Sequence, residues 1–152
     1  MGHRSGLPLL PLLLALAGCM EPSLEALRAR ELGEVRTAFA ENLEAIRTRD
    51  VEAYLAGYLA TPEFVFLGPE GVSRGFAPFA AARRADPQFP DSLAAGEPQL
   101  TWLAPGVVHV AYPYAARQGV VAGSGWSERV FVRTGDGWRI AVTGVIPGTD
   151  AR

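Results

Sequence analysis

Few side chains in this sequence could carry out acid–base, nucleophilic or metal chemistry. Of the two histidines, His3 lies at the start of the chain and His109 has no second histidine with which to share a metal ion. A two-histidine metal site and a Ser-His-Asp triad therefore have little support. No G-x-x-x-x-G-K-S/T or G-x-G-x-x-G phosphate-binding loop is present either. The sequence thus predicts no metal and no cofactor.

Glu128 is the acidic residue best placed to act as a general acid or base. Most other acids fall in predicted helices, turns or strand ends, whereas Glu128 lies well inside a predicted strand. Alternation places it on one strand face with Trp126 and Val130, and places Arg129 on the other. If the Glu128 face lines a cavity, apolar burial could tune its carboxyl for catalysis. The alternative is an exposed glutamate paired with an arginine on a neighbouring strand.

A set of aromatic residues is predicted to approach the same cavity. Their spacing in a short helix and their alternation along the strands place them on the side of the predicted cavity. Tyr112 and Tyr114 share one strand face and could donate hydrogen bonds into that cavity. Aromatics on such a face can also be plain core, and a one-residue register slip would invert the facing of Trp102 and Tyr112. The predicted ligand-binding set is Tyr54, Tyr58, Phe66, Trp102, Tyr112, Tyr114 and Trp126.

Three helical segments precede most of the predicted strands. Apolar residues recur at near-helical spacing over Ser23–Arg49, which predicts one long amphipathic helix with Phe39 on its apolar stripe. A short helix is predicted at Val51–Ala60, where Asp50 could cap it. A third is predicted around Phe76–Ala85, before a loop rich in proline.

Strands and turns fill the rest of the chain. Pro113 lies inside the predicted strand Val107–Arg117, and since proline cannot donate to a ladder it predicts an edge or a bulge there. Gln118–Gly125 contains three glycines and is predicted to be a longer hairpin loop. β-branched residues on both sides of Thr134–Gly137 predict a closing hairpin over Trp126–Pro147. Shorter strands are predicted at Glu63–Leu67 and Gln99–Leu103, and a turn at Gly68–Gly71.

The closing hairpin resembles that of a known family. The run R-x-G-D-G-W-R-I, from Arg133 to Ile140, is similar to the last hairpin of SnoaL-like proteins in the nuclear transport factor 2-like superfamily. The order of a long helix, an Arg-Asp break, a short helix and a strand also resembles that fold. The resemblance implies an α+β class, with a curved, mainly antiparallel sheet packed against N-terminal helices as a cystatin-like cone. It covers about Leu32–Pro147, within a single domain predicted at residues 24–148.

The family resemblance implies a cone-shaped pocket, and three functions are expected from it. The first is binding of a small apolar or aromatic molecule. The second is an isomerase, cyclase or hydrolase that uses Glu128 as its pocket carboxylate. The third is a structural or dimerising module, because these folds often pair through their sheets as homodimers. The sequence departs from many relatives at Gly144, where those proteins have a histidine.

The start of the chain predicts an envelope location. Arg4 and the apolar run Leu7–Ala17 have the features of a secretory leader, and Leu16-Ala17-Gly18-Cys19 resembles the lipobox of bacterial lipoproteins. Residues 1–18 are then a signal peptide, and residues 19–23 are a short tether. The resemblance implies that the Cys19 thiol takes a diacylglycerol, whose fatty-acid chains, such as palmitate, link the domain to a membrane. An ordinary signal peptide that happens to precede a cysteine is the alternative. In the lipoproteins that this start resembles, an aspartate directly after the cysteine favours the inner membrane. Since Met20 follows Cys19, the resemblance implies the outer membrane, facing the periplasm, in a Gram-negative cell.

Composition sets the remaining limits. The chain has 152 residues, with 14 basic and 16 acidic side chains, and 49% of its residues are hydrophobic. This length suits one domain with one hydrophobic core. No basic stretch is interleaved with aromatics, so no nucleic-acid partner is expected.

Overall fold

A 24-residue helix, α1 (Leu24–Arg47), packs on one face of a curved sheet in this computed structural model, which describes residues 23–68 and 71–148. The Ser23 hydroxyl caps its start by accepting a hydrogen bond from Ala26 N–H at 3.2 Å. Val35, Phe39 and Leu43 recur every four residues and are buried against the sheet. The predicted long helix is confirmed. The predicted leader, Cys19 and the middle of the predicted 68–71 turn lie outside the described residues.

Two shorter helices, α2 (Val51–Ala56) and α3 (Phe76–Ala85), complete the helical layer. α3 has the predicted bounds. α2 is shorter than predicted, because the backbone after it bonds to the last strand of the sheet instead of to its own helix. Ile140 N–H donates to Gly57 O, and Leu59 N–H donates to Ile140 O, both at 2.9 Å. These bonds hold Tyr58, which follows α2, directly over the sheet.

Seven strands form one sheet in the order β2-β1-β7-β6-β5-β3, and β4 also pairs with β5. β1 and β7 are parallel and the other pairs are antiparallel. The mainly antiparallel α+β class is confirmed. The strands are β1 (Val65–Gly68), β2 (Gly71–Arg74), β3 (Ser92–Ala95), β4 (Gln99–Ala104), β5 (Val107–Gln118), β6 (Val121–Thr134) and β7 (Gly137–Pro147).

β2 and β3 were not predicted from the sequence, and the turn between β5 and β6 differs from the predicted one. Both missed strands have only four residues and lie at the ends of the sheet order, so they lack a long alternating pattern. The loop predicted at Gln118–Gly125 is wrong: Gln118 pairs with Val121, which leaves a two-residue turn. Gly125 has a packing reason instead, since an added Cβ would lie 2.2 Å from Ile146 O on β7.

Pro113 marks neither a bulge nor an outer edge, so that prediction is also wrong. It pairs in regular register with Trp126 of β6, and its carbonyl accepts from Gly96 N–H at 2.8 Å on the opposite side of β5. Because a residue's N–H and C=O point to the same side of an antiparallel strand, the missing N–H of Pro113 also points toward Gly96. That site is the gap between β3 and β4, so the missing donor of Pro113 interrupts neither strand's pairing with β5.

The two faces of β6 are inverted relative to the predicted arrangement. Ser127, Arg129 and Phe131 are buried toward the helices, and Glu128 and Val130 lie on the outer face. Both faces contain apolar residues, so alternation alone could not choose between them. Phe131 decides the outcome, because it packs with fully buried side chains of neighbouring strands, among them Val108, Val110 and Ile140.

Candidate functional site

A buried arginine lies at the centre of the inner sheet face. Arg129, on β6, is only 3% exposed. Its Nη1 donates to Asn42 Oδ1 on α1 and its Nη2 donates to the Tyr112 hydroxyl on β5, each at 2.7 Å. Three separate elements therefore hold the guanidinium in place. Arginine is rarely buried without a partner charge, which makes this position unusual.

Aromatic faces surround the guanidinium. Its central carbon lies 5.3 Å from the Phe39 ring centroid and 5.2 Å from that of Tyr112, within the range of cation–π attraction. The two rings meet edge to face with centroids 4.8 Å apart. These contacts compensate part of the desolvation of the charge, but they supply no negative group.

Two further tyrosines, from α2 and the segment after it, extend this site. The hydroxyls of Tyr58 and Tyr54 are hydrogen-bonded at 2.7 Å, and Asn42 Nδ2 donates to Tyr54 O at 3.3 Å. Burial, followed by the neighbouring Tyr54, raises the pKa of the Tyr58 phenol well above its ordinary value. Tyr58 therefore stays neutral and remains a hydrogen-bond donor. We call Asn42, Tyr54, Tyr58, Tyr112 and Arg129 the Arg129 cluster.

The Arg129 cluster has more donors than acceptors. Arg129 Nε is buried and has no hydrogen-bond partner among the described residues. No carboxylate in that part of the chain pairs with the Arg129 guanidinium within 4.0 Å. A buried cation without a counter-charge is expensive, so the cluster is poised to accept a negative or strongly polar group.

A cavity of about 330 Å³ between α1, α2, β6 and β7 borders this cluster at Asn42. Asn42 both lines the cavity and accepts the hydrogen bond from Arg129, so the cavity is one residue away from the buried guanidinium. The size is within the range of small-molecule sites. The other lining residues come from α1, α2, Gly57, β6 and β7, and they are Ala38, Glu41, Ala53, Ala56, Gly57, Phe131, Trp138 and Arg139.

An aromatic layer lies on the other side of Tyr54 and Tyr58. Phe79 of α3 is the centre of this layer, with its ring centroid 5.2 Å from that of Tyr58 and 5.5 Å from that of Phe66. The guanidinium of Arg83 lies 5.6 and 5.5 Å from the Phe66 and Phe79 centroids. Aromatic side chains thus fill the interior between α3 and the sheet.

The predicted ligand-binding residues divide into three groups. Tyr54, Tyr58 and Tyr112 meet in the Arg129 cluster, while Phe66 and Tyr114 are partly buried against the core nearby. Trp102 also faces inward but lies elsewhere, where its indole donates to Glu31 at 2.6 Å. Trp126 is on the outer face of the sheet and is 43% exposed, so its predicted facing is wrong.

Glu128 is also on the outer face, contrary to its predicted position in the cone. Its Oε2 lies 3.3 Å from His109 Nε2 on β5, and both side chains are partly exposed. His109 therefore has the partner that the sequence analysis did not find. The pair could exchange a proton with a molecule on the outer face, but the sheet separates it from Arg129.

A second polar network fixes the start of α1 to the sheet. The buried Glu31 accepts from the Trp102 indole and from Gly106 N–H at 3.0 Å, and Arg133 Nε lies 3.5 Å from it. Burial raises the pKa of the Glu31 carboxyl, but the hydrogen bonds from Gly106 and Trp102 and the charge of Arg133 outweigh it, so the pKa is lowered overall. The Glu31 carboxylate thus has donor partners within the chain, so its role here is structural.

The second glutamate of this network, Glu34, follows Glu31 by one turn of α1. It accepts from the Trp138 indole at 2.9 Å and pairs with Arg133, whose guanidinium lies 4.7 Å from the Trp138 ring centroid. The Trp138 hydrogen bond lowers the pKa of Glu34 below its ordinary value, with Arg133 acting in the same direction against burial. Trp138 is buried, and so is Phe39, which was predicted on the apolar stripe of α1.

Sequence reasoning missed Arg129 and Asn42 as site residues. Arg129 was assigned to the face opposite the pocket, and Asn42 lies within an amphipathic helix in which a polar residue attracts no notice. A signal existed: Asn42 occurs between Phe39 and Leu43, on the apolar stripe of α1. A polar side chain on an apolar stripe needs a buried partner.

No metal centre or membrane span is found in the described part of the chain. Residues 23–68 and 71–148 contain no group of three or more His, Cys, Asp or Glu side chains placed to hold a metal ion. No helix within those same ranges is both long enough and apolar enough to cross a membrane.

The comparisons with known proteins identify the fold. No family model matches the sequence, and no curated protein matches it. Solved structures do match. An NTF2-like protein from Shewanella oneidensis has a TM-score of 0.66 and 15% identity, over 75% of this chain and 97% of its own. A cystatin-like fold protein from Burkholderia xenovorans has a TM-score of 0.67 and 24% identity, over 78% and 92%.

A third matching structure is described by its likeness to an enzyme. It is a ketosteroid isomerase-like protein from Erwinia carotovora, with a TM-score of 0.65 and 16% identity, over 77% of this chain and 95% of its own. Identities this low relate the folds and not the activities. With the helix and strand order described above, these likenesses show that the chain has the NTF2-like, cystatin-like fold, which confirms the predicted fold.

Proposed function

We propose that this domain binds a small molecule at the Arg129 cluster, with access through the cavity beside Asn42. The observation that supports this most strongly is the buried Arg129 guanidinium, which has no carboxylate partner and an unsatisfied Nε in the described residues. An unpaired buried charge destabilises a fold, so its presence is better explained by a ligand than by stability. The cavity of about 330 Å³ and its mainly apolar wall support the same function.

The proposed setting is the cell envelope. The lipobox-like Leu16-Ala17-Gly18-Cys19 supports lipidation of Cys19, which would anchor the domain to a membrane through a tether of a few residues. A lipid-anchored binding domain would meet its ligand at that membrane or in the adjoining periplasm. The likeness to an isomerase-like structure supports only a shared architecture.

The experiment that tests binding is a mass-spectrometric survey of small molecules that co-purify with residues 20–152. The wild-type domain and an Arg129→Met variant would be purified in parallel, with Arg74→Met as the control because Arg74 is an exposed residue of β2. A compound enriched with wild type and Arg74→Met, but absent from Arg129→Met, is the expected result. Equal recovery from all three proteins would reject the Arg129 cluster as the site.

A catalytic function on the outer face is the second candidate. The 3.3 Å contact between His109 and Glu128 supports it, because a histidine oriented by a carboxylate is a common acid–base pair. In this candidate Glu128 would orient or exchange protons with His109, and the substrate would bind outside the cone. Loss of turnover in His109→Gln with any isomerase or hydrolase substrate would support it, and full activity of that variant would reject it.

A structural or dimerising role is the third candidate. The outer face of the sheet carries exposed apolar residues that no described residue covers. Trp126 and Ile146 are direct neighbours across β6 and β7, and both are exposed. A second copy of the chain could cover them. Sedimentation analysis of the wild type and of Trp126→Glu would measure the oligomeric state of each. A dimer that forms through this face should dissociate in the variant.

A further inference from the structure

We propose that the ligand of the Arg129 cluster is a small organic monocarboxylate, whose carboxylate is the missing counter-charge of Arg129. This inference rests on the proposed binding function and narrows its ligand class. A neutral ketone, alcohol or hydrocarbon could fill the same space. Charge and hydrogen-bond balance at the site distinguish the carboxylate from these neutral alternatives.

Two arginines of β6, Arg129 and Arg133, differ in their negatively charged partners. The Arg133 side chain is 37% exposed, yet it contacts two carboxylates, Glu31 and Glu34. Arg129 is nearly fully buried and contacts none within the described ranges. Burial strengthens the need for a partner charge because the low-dielectric interior screens little. The less exposed arginine is therefore the one that lacks its anion.

The hydrogen-bond balance points to the same class. Arg129 has five N–H donors, and its described bonds reach only Asn42 and Tyr112. The Tyr112 hydroxyl accepts from Arg129, which leaves its own proton available for donation. One of the two protons in the Tyr54–Tyr58 pair is likewise free, since a single bond joins the two hydroxyls. Several donors and no anionic acceptor suit a carboxylate, which accepts up to four hydrogen bonds.

The surroundings favour one charge and an apolar body. A single guanidinium balances a monocarboxylate, whereas a phosphate would bring close to two negative charges. Phe39, Tyr54 and Tyr58 offer apolar or aromatic surface on the cluster side. Phe131 and Trp138 do the same in the adjoining cavity. A carboxylate with an aryl or alkyl body would satisfy both regions.

Asn42 gives the cavity a direct connection to the charge. Its amide lies in the wall of the cavity, and its Oδ1 occupies one Arg129 donor at 2.7 Å. A ligand carboxylate in the cavity would lie in a wall that contains Asn42 together with Glu41 and Arg139, and it could replace Asn42 Oδ1 as the acceptor from Nη1. The freed Asn42 side chain would remain within reach of Tyr54 O, to which its Nδ2 already donates.

The test compares benzoate with benzamide, which have the same ring and nearly the same shape but differ in charge. Calorimetric or NMR titration at pH 7 would use wild type, Arg129→Met and the surface control Arg74→Met. We expect wild type and Arg74→Met to bind benzoate at least about tenfold more tightly than benzamide, because charge-assisted hydrogen bonds are replaced by weaker neutral ones. Arg129→Met should lose that preference. Arg129→Lys keeps the positive charge but not the planar guanidinium, so it should retain part of the preference for benzoate. It replaces Arg129→Met in the test if the methionine variant does not fold.

The outcomes separate this inference from the proposed function. Equal affinity of wild type for benzoate and benzamide, or no binding of benzoate at all, would overturn the carboxylate class. A neutral compound that co-purifies with wild type but not with Arg129→Met would also overturn it while leaving the binding function intact. If benzoate is preferred equally by wild type and Arg129→Met, the charge lies elsewhere and both the inference and the Arg129 site fail.

Discussion

Arg129 Nη1 on β6 and Asn42 Oδ1 on α1 are joined by a 2.7 Å hydrogen bond that links the sheet to the long helix through the middle of the core. Both residues are almost fully buried. The bond satisfies Asn42 but not the charge of Arg129. A stable interior would more simply contain two apolar residues here, so this pair has a cost that stability alone does not explain.

The first prediction is that Arg129→Met raises the stability of the unliganded domain. Methionine fills similar space and removes an unpaired buried charge, at the loss of two hydrogen bonds. We expect the free energy of unfolding to increase by about 1–2 kcal/mol, measured by urea denaturation of residues 20–152. Arg74→Met, on the exposed β2, should change it by less than about 0.5 kcal/mol. A decrease of 2 kcal/mol or more in Arg129→Met would indicate that Arg129 is a structural residue.

The second prediction concerns Trp138, which joins β7 to α1. Trp138→Ala should cost about 3–5 kcal/mol of unfolding free energy, as truncation of a buried aromatic does. Trp138→Phe keeps most of the apolar surface but removes the indole N–H that donates to Glu34, so we expect a smaller loss of about 1–2 kcal/mol. Denaturant titration of the two variants beside wild type measures both. Equal losses would mean that the hydrogen bond, and not the ring, dominates.

The third prediction is an acid sensitivity that depends on Glu31. The pKa of Glu31 is lower in the folded protein than its ordinary value of 4.5, so the unfolded chain binds more protons as the pH falls. The stability contributed by Glu31 is therefore full above about pH 4.5 and is lost as the pH drops through the lower folded pKa. Urea midpoints between pH 7 and pH 3 should fall more steeply for wild type than for Glu31→Gln.

The stability of Glu31→Gln at pH 7 is the reference against which its change with pH is measured. This comparison separates the pH effect from a general loss of stability. At pH 7 the variant should be less stable, because a neutral amide oxygen accepts more weakly from the Trp102 indole and Gly106 N–H. The difference between the two proteins should narrow toward pH 3. A constant difference over this range would show that the Glu31 carboxyl does not titrate with folding.

The sequence predicted the elements well and the faces of the sheet poorly. α1, α3 and the closing hairpin were predictable because their apolar spacing and turn residues are local signals. The facing of β6 was not, because Val130 and Phe131 both suit a core and the choice depends on packing with β5 and β7. The inverted facing of β6 also affected the predicted site. Tyr54, Tyr58 and Tyr112 were predicted as site residues, but Arg129, which lies on the inner face, was assigned to the face away from the cavity. A buried cation cannot be predicted from hydrophobicity, since its burial contradicts that scale.

The fourth prediction concerns location. If Cys19 is acylated, Cys19→Ser should release the protein from the membrane fraction or leave an uncleaved precursor, because the thiol is the acceptor for the lipid. Gly18→Ala is the matched control, since it keeps a small residue before the cysteine and should be processed normally. Cell fractionation with an immunoblot of precursor and mature sizes measures both effects. Processing and membrane retention of Cys19→Ser that equal those of wild type would contradict the lipoprotein prediction.

The last prediction concerns Glu128→Gln, which separates a binding domain from an enzyme. Glu128 contacts His109 on the outer face, and the sheet lies between this pair and the Arg129 cluster. Ligand affinity at the Arg129 cluster should therefore change by less than about twofold in Glu128→Gln. The Glu128 carboxylate is partly exposed on the opposite face of the sheet, where solvent screens its effect on a ligand at Arg129. Titration with benzoate, with Arg129→Met as the variant that should lose binding, checks this.

An enzyme that uses Glu128 would behave differently under the same substitution. Glutamine keeps the shape of the side chain but cannot exchange a proton, and positioned acid–base groups typically contribute on the order of 100-fold or more to the rate. With a turned-over substrate in hand, Glu128→Gln and His109→Gln should then both lose that factor, while Glu97→Gln, at an exposed ion pair with Arg36, should not. Unchanged turnover in Glu128→Gln would exclude the Glu128 carboxylate from catalysis.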